Sequence, residues 1–100
     1  MIEDILSDLR LSDKEVAVYT TLLSLGKATA ARISSTSNIN RTTVYAVCKE
    51  LVAKGFIQED STKEIIFYSP TPPAELTKIL KRERQALIER ELKLEELAKE

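Results

Sequence analysis

The 100-residue chain has no histidine, no tryptophan, one cysteine, two glycines and three prolines. Each shortage excludes something. With no histidine and with Cys48 alone, there is no ligand set for a structural zinc ion and no intrachain disulfide. The lack of histidine also removes the commonest general base. No glycine-rich phosphate loop and no pair of carboxylates in an apolar setting takes its place, so neither an enzyme nor a cofactor is expected. Five glycines and prolines together are too few for a disordered chain. No apolar run approaches membrane-spanning length and no signal peptide precedes the first helical pattern, so a soluble, cytoplasmic protein is expected.

What remains is enough for one small domain with an extension, since 43% of residues are apolar. The net charge is only −1, but it is unevenly spread. Residues 1–25 carry two cations against five acids, and residues 26–54 carry five cations against one acid. Residues 55–75 return to one cation against four acids, and residues 76–100 hold seven against six. The basic block is local, and it coincides with the stretch on which the chain is organised.

That stretch runs from Ser37 to Gly55. Asn38 suits the left-handed turn between two helices, and Asn40 is a good N-cap. Val44, Val47, Cys48 and Leu51 recur at i, i+3, i+4 and i+7, which predicts one buried stripe. Cys48 on that stripe reads as a small core residue rather than a redox sensor. Gly55 supplies the stop after Lys54. The opposite face carries Thr42, Tyr45, Ala46 and Lys49, with Arg41 in the first turn. Hydroxyls, an aromatic ring and two cations suit base edges and the phosphates around them. The alternative is an ordinary amphipathic helix with a solvated face.

Around it, Ile2, Ile5, Leu6 and Leu9 predict a short helix over residues 1–10. Ser12 and Glu15 form a capping box for a helix to about Leu25, with Val16, Tyr19, Leu22 and Leu23 inward. Ala28 to Thr36 is a short helix capped by Thr29, whose hydroxyl either only caps or also meets a phosphate. Two short helices, a tight turn and a third helix make a helix-turn-helix. Residues 56–69 then read as a hairpin, with strands at 56–59 and 65–68. Lys63 is its one cation, and Glu59, Asp60 and Glu64 would repel phosphate. Pro70, Pro72 and Pro73 break the sheet. From Ala74 to Glu100 the chain reads as one long helix of about 40 Å. Leu80, Leu87 and Leu94 fall seven apart, with Leu76 and Leu97 on flanking seam positions and Glu83 and Arg90 interrupting it. This pattern fits dimerisation, or packing on the chain's own body. No cap signal marks Glu100, which reads as a fragment of a longer protein.

The expected architecture is mostly α with a small β-hairpin. A winged helix-turn-helix at 1–73 precedes a long coiled-coil-like helix at 74–100. In detail the sequence resembles the winged-helix domain of the TrmB-like transcriptional regulators. The resemblance covers roughly residues 9–80. It rests on Leu11-Ser12 with Glu15, Val18-Tyr19, Leu22-Leu23, Leu25-Gly26, Ala28-Thr29-Ala30-Ala31 and Ile33. It continues through Ile39, Arg41, Thr43-Val44-Tyr45, Leu51, Lys54-Gly55-Phe56, Tyr68 and Pro72-Pro73. It implies a DNA-binding repressor or activator, usually a homodimer, whose third helix at 41–54 enters the major groove of double-stranded DNA. By that resemblance Arg41, Thr42, Thr43, Tyr45 and Lys49 would meet DNA, with Lys27 and Thr29 near the backbone. Three departures stand out. Asn38 and Asn40 replace common glycine and proline. Thr36 replaces a usual leucine, which would loosen the core. Ile66 and Phe67 stand where the hairpin often has cations. Many full-length members carry a sugar-sensing domain that these residues do not contain, so no effector is assigned. A protein-interaction module without sequence-specific DNA binding is the alternative reading, favoured by the low charge and the acidic hairpin.

Overall fold

The computed structural model describes residues 9–100. The helix expected at 1–10 therefore lies outside the described residues except for Leu9 and Arg10, which form a turn. Three helices follow: α1 (Asp13–Leu25), α2 (Ala30–Ser37) and α3 (Arg41–Lys54). Two short strands, β1 (Ile57–Asp60) and β2 (Phe67–Pro70), lead through a 3-10 turn at Pro73–Glu75 into α4 (Leu76–Lys99).

Local chemistry places the ends of these helices. The Ser12 hydroxyl accepts from the Glu15 N–H at 3.2 Å, and the Glu15 carboxylate accepts from the Ser12 N–H at 3.0 Å, closing a capping box on α1. The Thr29 hydroxyl accepts from the Arg32 N–H and caps α2. Asn38 ends α2 in the left-handed region at φ 62° and ψ 23°, and its N–H donates to the Ser34 carbonyl. The Asn40 side chain accepts from the Thr42 N–H at 2.8 Å and starts α3. The tight turn between α2 and α3 thus has its backbone groups satisfied without glycine or proline. Thr36 is exposed, so the core is not loosened there.

The core gathers Val16, Val18, Tyr19 and Leu22 of α1, Ala30 and Ile33 of α2, and Val44, Val47, Cys48 and Leu51 of α3. Each fully buried aliphatic side chain of this kind contributes about 1.5–3 kcal/mol. Phe56, Ile57, Tyr68, Leu76 and Ile79 close it from the other side. The Tyr19 and Phe56 rings meet edge to face, centroids 6.0 Å apart.

The hairpin is antiparallel, pairing Ile57 with Pro70 and Asp60 with Phe67. The second strand starts two residues later than the sequence implied, and Pro70 ends it instead of breaking it. Tyr68 decides this register. It is buried, and its N–H and carbonyl exchange hydrogen bonds with Ala28, an isolated bridge that joins the loop before α2 to the hairpin. Ile65 and Ile66 are left exposed in the hairpin tip. Pro70 has no N–H to donate and is tolerated at a strand end.

Thr71 then joins four parts of the molecule. Its N–H donates to the Phe56 carbonyl at 2.8 Å and its hydroxyl to the Gly55 carbonyl at 2.7 Å. Its own carbonyl accepts from the Tyr19 hydroxyl at 2.6 Å. Beyond it, α4 packs on the body through Leu76 and Ile79 in its first turn, and Arg82 in the next turn reaches Gly55. The rest projects. The molecule measures 55 × 32 × 24 Å, with a radius of gyration of 16.4 Å; a compact 100-residue domain has about 13 Å.

Candidate nucleic-acid interface

Helix α3 turns its apolar stripe inward and leaves its other side open. Arg41, Thr42, Tyr45, Ala46 and Lys49 are exposed, and Thr43 is half-buried. Neither the hairpin nor α4 covers this face. The Arg41 guanidinium lies 5.9 Å from the Tyr45 ring centroid, a cation–π contact that holds both side chains at the start of the helix. Four of these residues thus form one surface with two cations, a hydroxyl and an aromatic ring. Such a surface can donate to phosphates and to the acceptor edges of bases.

The neighbouring residues are arranged less simply. Thr29 caps α2, and its hydroxyl is engaged with the Arg32 N–H. Arg32 itself is exposed in the first turn of α2. Sequence reasoning passed over it, although it belongs to the basic block at 26–54. The Lys27 ammonium bonds Asp60 at 3.2 Å and lies 5.4 Å from the Phe67 ring centroid. It therefore ties the loop before α2 to the hairpin. The Thr62 hydroxyl and N–H, and then Lys27, hold the Asp60 carboxyl down to about 2, so this anion persists at any working pH. Lys63 is exposed near the hairpin tip, close in sequence to the exposed Glu64.

Glu15 and Cys48 lie inside the body. Glu15 is 3% exposed. Burial alone would raise its carboxyl, but the bonds from Lys54 and Ser12 outweigh burial and hold it below its ordinary value. The Lys54 ammonium sits 2.7 Å from Glu15, linking the last turn of α3 to the first turn of α1. Burial, and then the negative Glu59, push the Cys48 thiol up to about 11, which leaves it an inert core residue.

On α4, Leu80, Leu87, Leu94 and Leu97 are exposed along one seam. Leu76 differs from the sequence expectation: at 8% exposure it is part of the body's core and not of an open seam. Ile88 and Leu92 are further exposed apolar residues that the heptad reading did not include.

A family model described as "Sugar-specific transcriptional regulator TrmB" matches residues 6–74, more than half of the chain. The chain belongs to the TrmB family. Among solved structures, this TrmB-family chain is similar to TrmBL2, an archaeal chromatin protein described as showing a novel mode of DNA binding. The identity is 26% and the TM-score 0.81, over 97% of this chain and 38% of that one. The chain thus spans well under half the length of TrmBL2. It is also similar to a possible transcriptional regulator from Methanosarcina mazei Go1, with 18% identity and a TM-score of 0.68 over 95% of this chain and 87% of that one. The oxidised form of MarR from E. coli shares the fold, with 16% identity and a TM-score of 0.61 over 83% and 60%. No curated protein matches the sequence. These likenesses agree with the architecture: a winged helix-turn-helix with a long C-terminal helix. No helix among the described residues is long and apolar enough to cross a membrane.

Proposed function

We propose that this TrmB-family chain is a cytoplasmic regulator that reads the major groove of double-stranded DNA with α3 and acts as a homodimer through α4. The observation that carries the reading is the uncovered outer face of α3, with Arg41, Thr42, Tyr45 and Lys49 exposed on it. Arg41 meets a phosphate or a guanine edge, Thr42, Thr43 and Tyr45 meet base edges or thymine methyls, and Lys49 holds a phosphate. Thr29 at the start of α2 lies near the backbone, and Arg32 is added to that set. Lys27 and Lys63 contribute less, because Asp60 already neutralises one and acids surround the other. Two copies joined through Leu80, Leu87, Leu94 and Leu97 address two half-sites about one DNA turn apart.

The test is a fluorescence-anisotropy titration against duplex DNA at rising salt. Affinity is expected to fall steeply, and the double variant Arg41→Ala/Lys49→Ala should lower the salt slope by about two phosphate contacts. A second reading, a protein-interaction module, is supported by the hairpin tip, where Ile65 is 59% exposed beside acidic residues. A flat salt response would favour that reading over DNA recognition.

A further inference from the structure

The two halves of α4 differ in charge. Residues 76–88 carry Lys78, Lys81, Arg82 and Arg84 against Glu83 alone. Residues 89–100 carry Glu89, Glu91, Glu95, Glu96 and Glu100 against Arg90, Lys93 and Lys99. The half beside the body is basic and the far half is acidic. Between α4 and the body runs a groove of about 560 Å³, lined on one wall by Leu80, Glu83, Leu87 and Arg90 and on the other by Leu9, Arg10, Lys54 and Phe56. Its floor is apolar, and its body wall adds the exposed Arg10, while the Lys54 ammonium there is already paired with Glu15.

From this polarity we infer that a second copy lies in the groove with its α4 antiparallel to the first. The inference rests on the reading of α4 as the dimer surface and adds the direction of pairing. A parallel pair in register would set Glu83 against Glu83 and Arg90 against Arg90, and basic half against basic half. Reversing one helix removes every one of these clashes and brings the partner's acidic half to Arg10, Lys81 and Arg84. Burial fixes the register. Leu76 is occupied in the core, so the outermost available seam residues, Leu80 and Leu97, face each other across the pair. The layers between them then match Glu83 with Leu94 and Leu87 with Arg90. Arg84 comes beside the acidic Glu91 of the other copy, twice by symmetry.

Distance measurement between spin labels on Lys99→Cys in the full chain tests this, because the buried Cys48 does not compete for the label. In the antiparallel register the two labelled positions are about 21 residues apart along the axis, so about 30 Å at 1.5 Å per residue. In a parallel pair they would be separated only by the interhelical spacing of about 10 Å plus the label arms. Sedimentation is run on the same sample. A dimer with a distance near 30 Å supports the inference. A dimer with a distance under about 20 Å overturns it and leaves the dimer reading standing, whereas a monomer overturns both. As a second measurement, Arg84→Glu should raise the dimer Kd about tenfold, and adding Glu91→Arg should restore it; failure to restore overturns the register.

Discussion

Replacing Lys54 by methionine separates the charge of the Lys54–Glu15 pair from the packing of the lysine stem. Methionine keeps an apolar chain of similar length and deletes the ammonium that stands 2.7 Å from Glu15. The Glu15 side chain is only 4% exposed, so its carboxylate keeps the Ser12 bonds but loses its counter-charge. The Lys54 side chain is 42% exposed, and solvent screens its half of the pair. Removing one partner of a fully buried pair costs 3–5 kcal/mol, and an exposed pair is worth under 1, so a loss of about 2 kcal/mol at pH 7 is expected. For a domain of this size that lowers Tm by about 10 °C. The pH dependence gives the sharper check. The folded carboxyl lies below its ordinary 4.5, so its contribution is present above that value and is lost as pH falls through the folded value. In the variant only the Ser12 bonds still oppose burial, so the Glu15 carboxyl moves up relative to the wild type. The gap in Tm between wild type and Lys54→Met, read by circular dichroism melts, should therefore be widest at pH 7 and shrink toward pH 3. An equal gap at both ends of that range would refute the electrostatic reasoning and point to packing of the stem alone.

Three further outcomes follow from the same structure. Tyr19→Phe strips the Thr71 carbonyl of its donor inside the core and should cost about 1–2 kcal/mol in a urea titration; an unchanged midpoint would contradict a structural role for this bond. Gly55→Ala should cost about 1 kcal/mol because φ is +86°, not because of crowding, since an added Cβ would meet Ile79 at an ordinary 3.5 Å; Gly55→Asn, which tolerates that region, should lose less. Leu87→Glu should halve the sedimenting mass while leaving the melting of the body unchanged, because Leu87 is 61% exposed; an unaltered mass would remove Leu87 from the interface.

The helices were legible wherever side chains at fixed spacing speak to the adjacent backbone. Ser12, Glu15, Thr29, Asn40 and Gly55 each cap as their positions imply, and the Val44 to Leu51 stripe is buried as its period requires. Legibility failed where a distant residue decides. The register of β2 is set by Tyr68 bonding Ala28, forty positions away, so local pattern misplaced the strand and gave Ile65 and Ile66 to it. Leu76 keeps the heptad period but sits where α4 still touches the body, and periodicity does not distinguish those two environments. Thr36, judged by position in a familiar pattern, points outward and loosens nothing. The open face of α3 was readable because it is the complement of the buried stripe. The engagement of Lys27 by Asp60 and Phe67 was not, since nothing in the sequence brings residue 27 to residue 60.

Thr71 gives the projecting helix its mechanics. Three hydrogen bonds from one residue anchor the root of a rod about 36 Å long, by its 24 residues, to the end of α3 and to α1. Such a rod works as a rigid arm with no hinge at its base. A tilt imposed on its tip must either rotate the whole head or tear Thr71 from Gly55, Phe56 and Tyr19 together with Leu76 and Ile79 from the core; in the proposed dimer this root would help to set the spacing between the two heads.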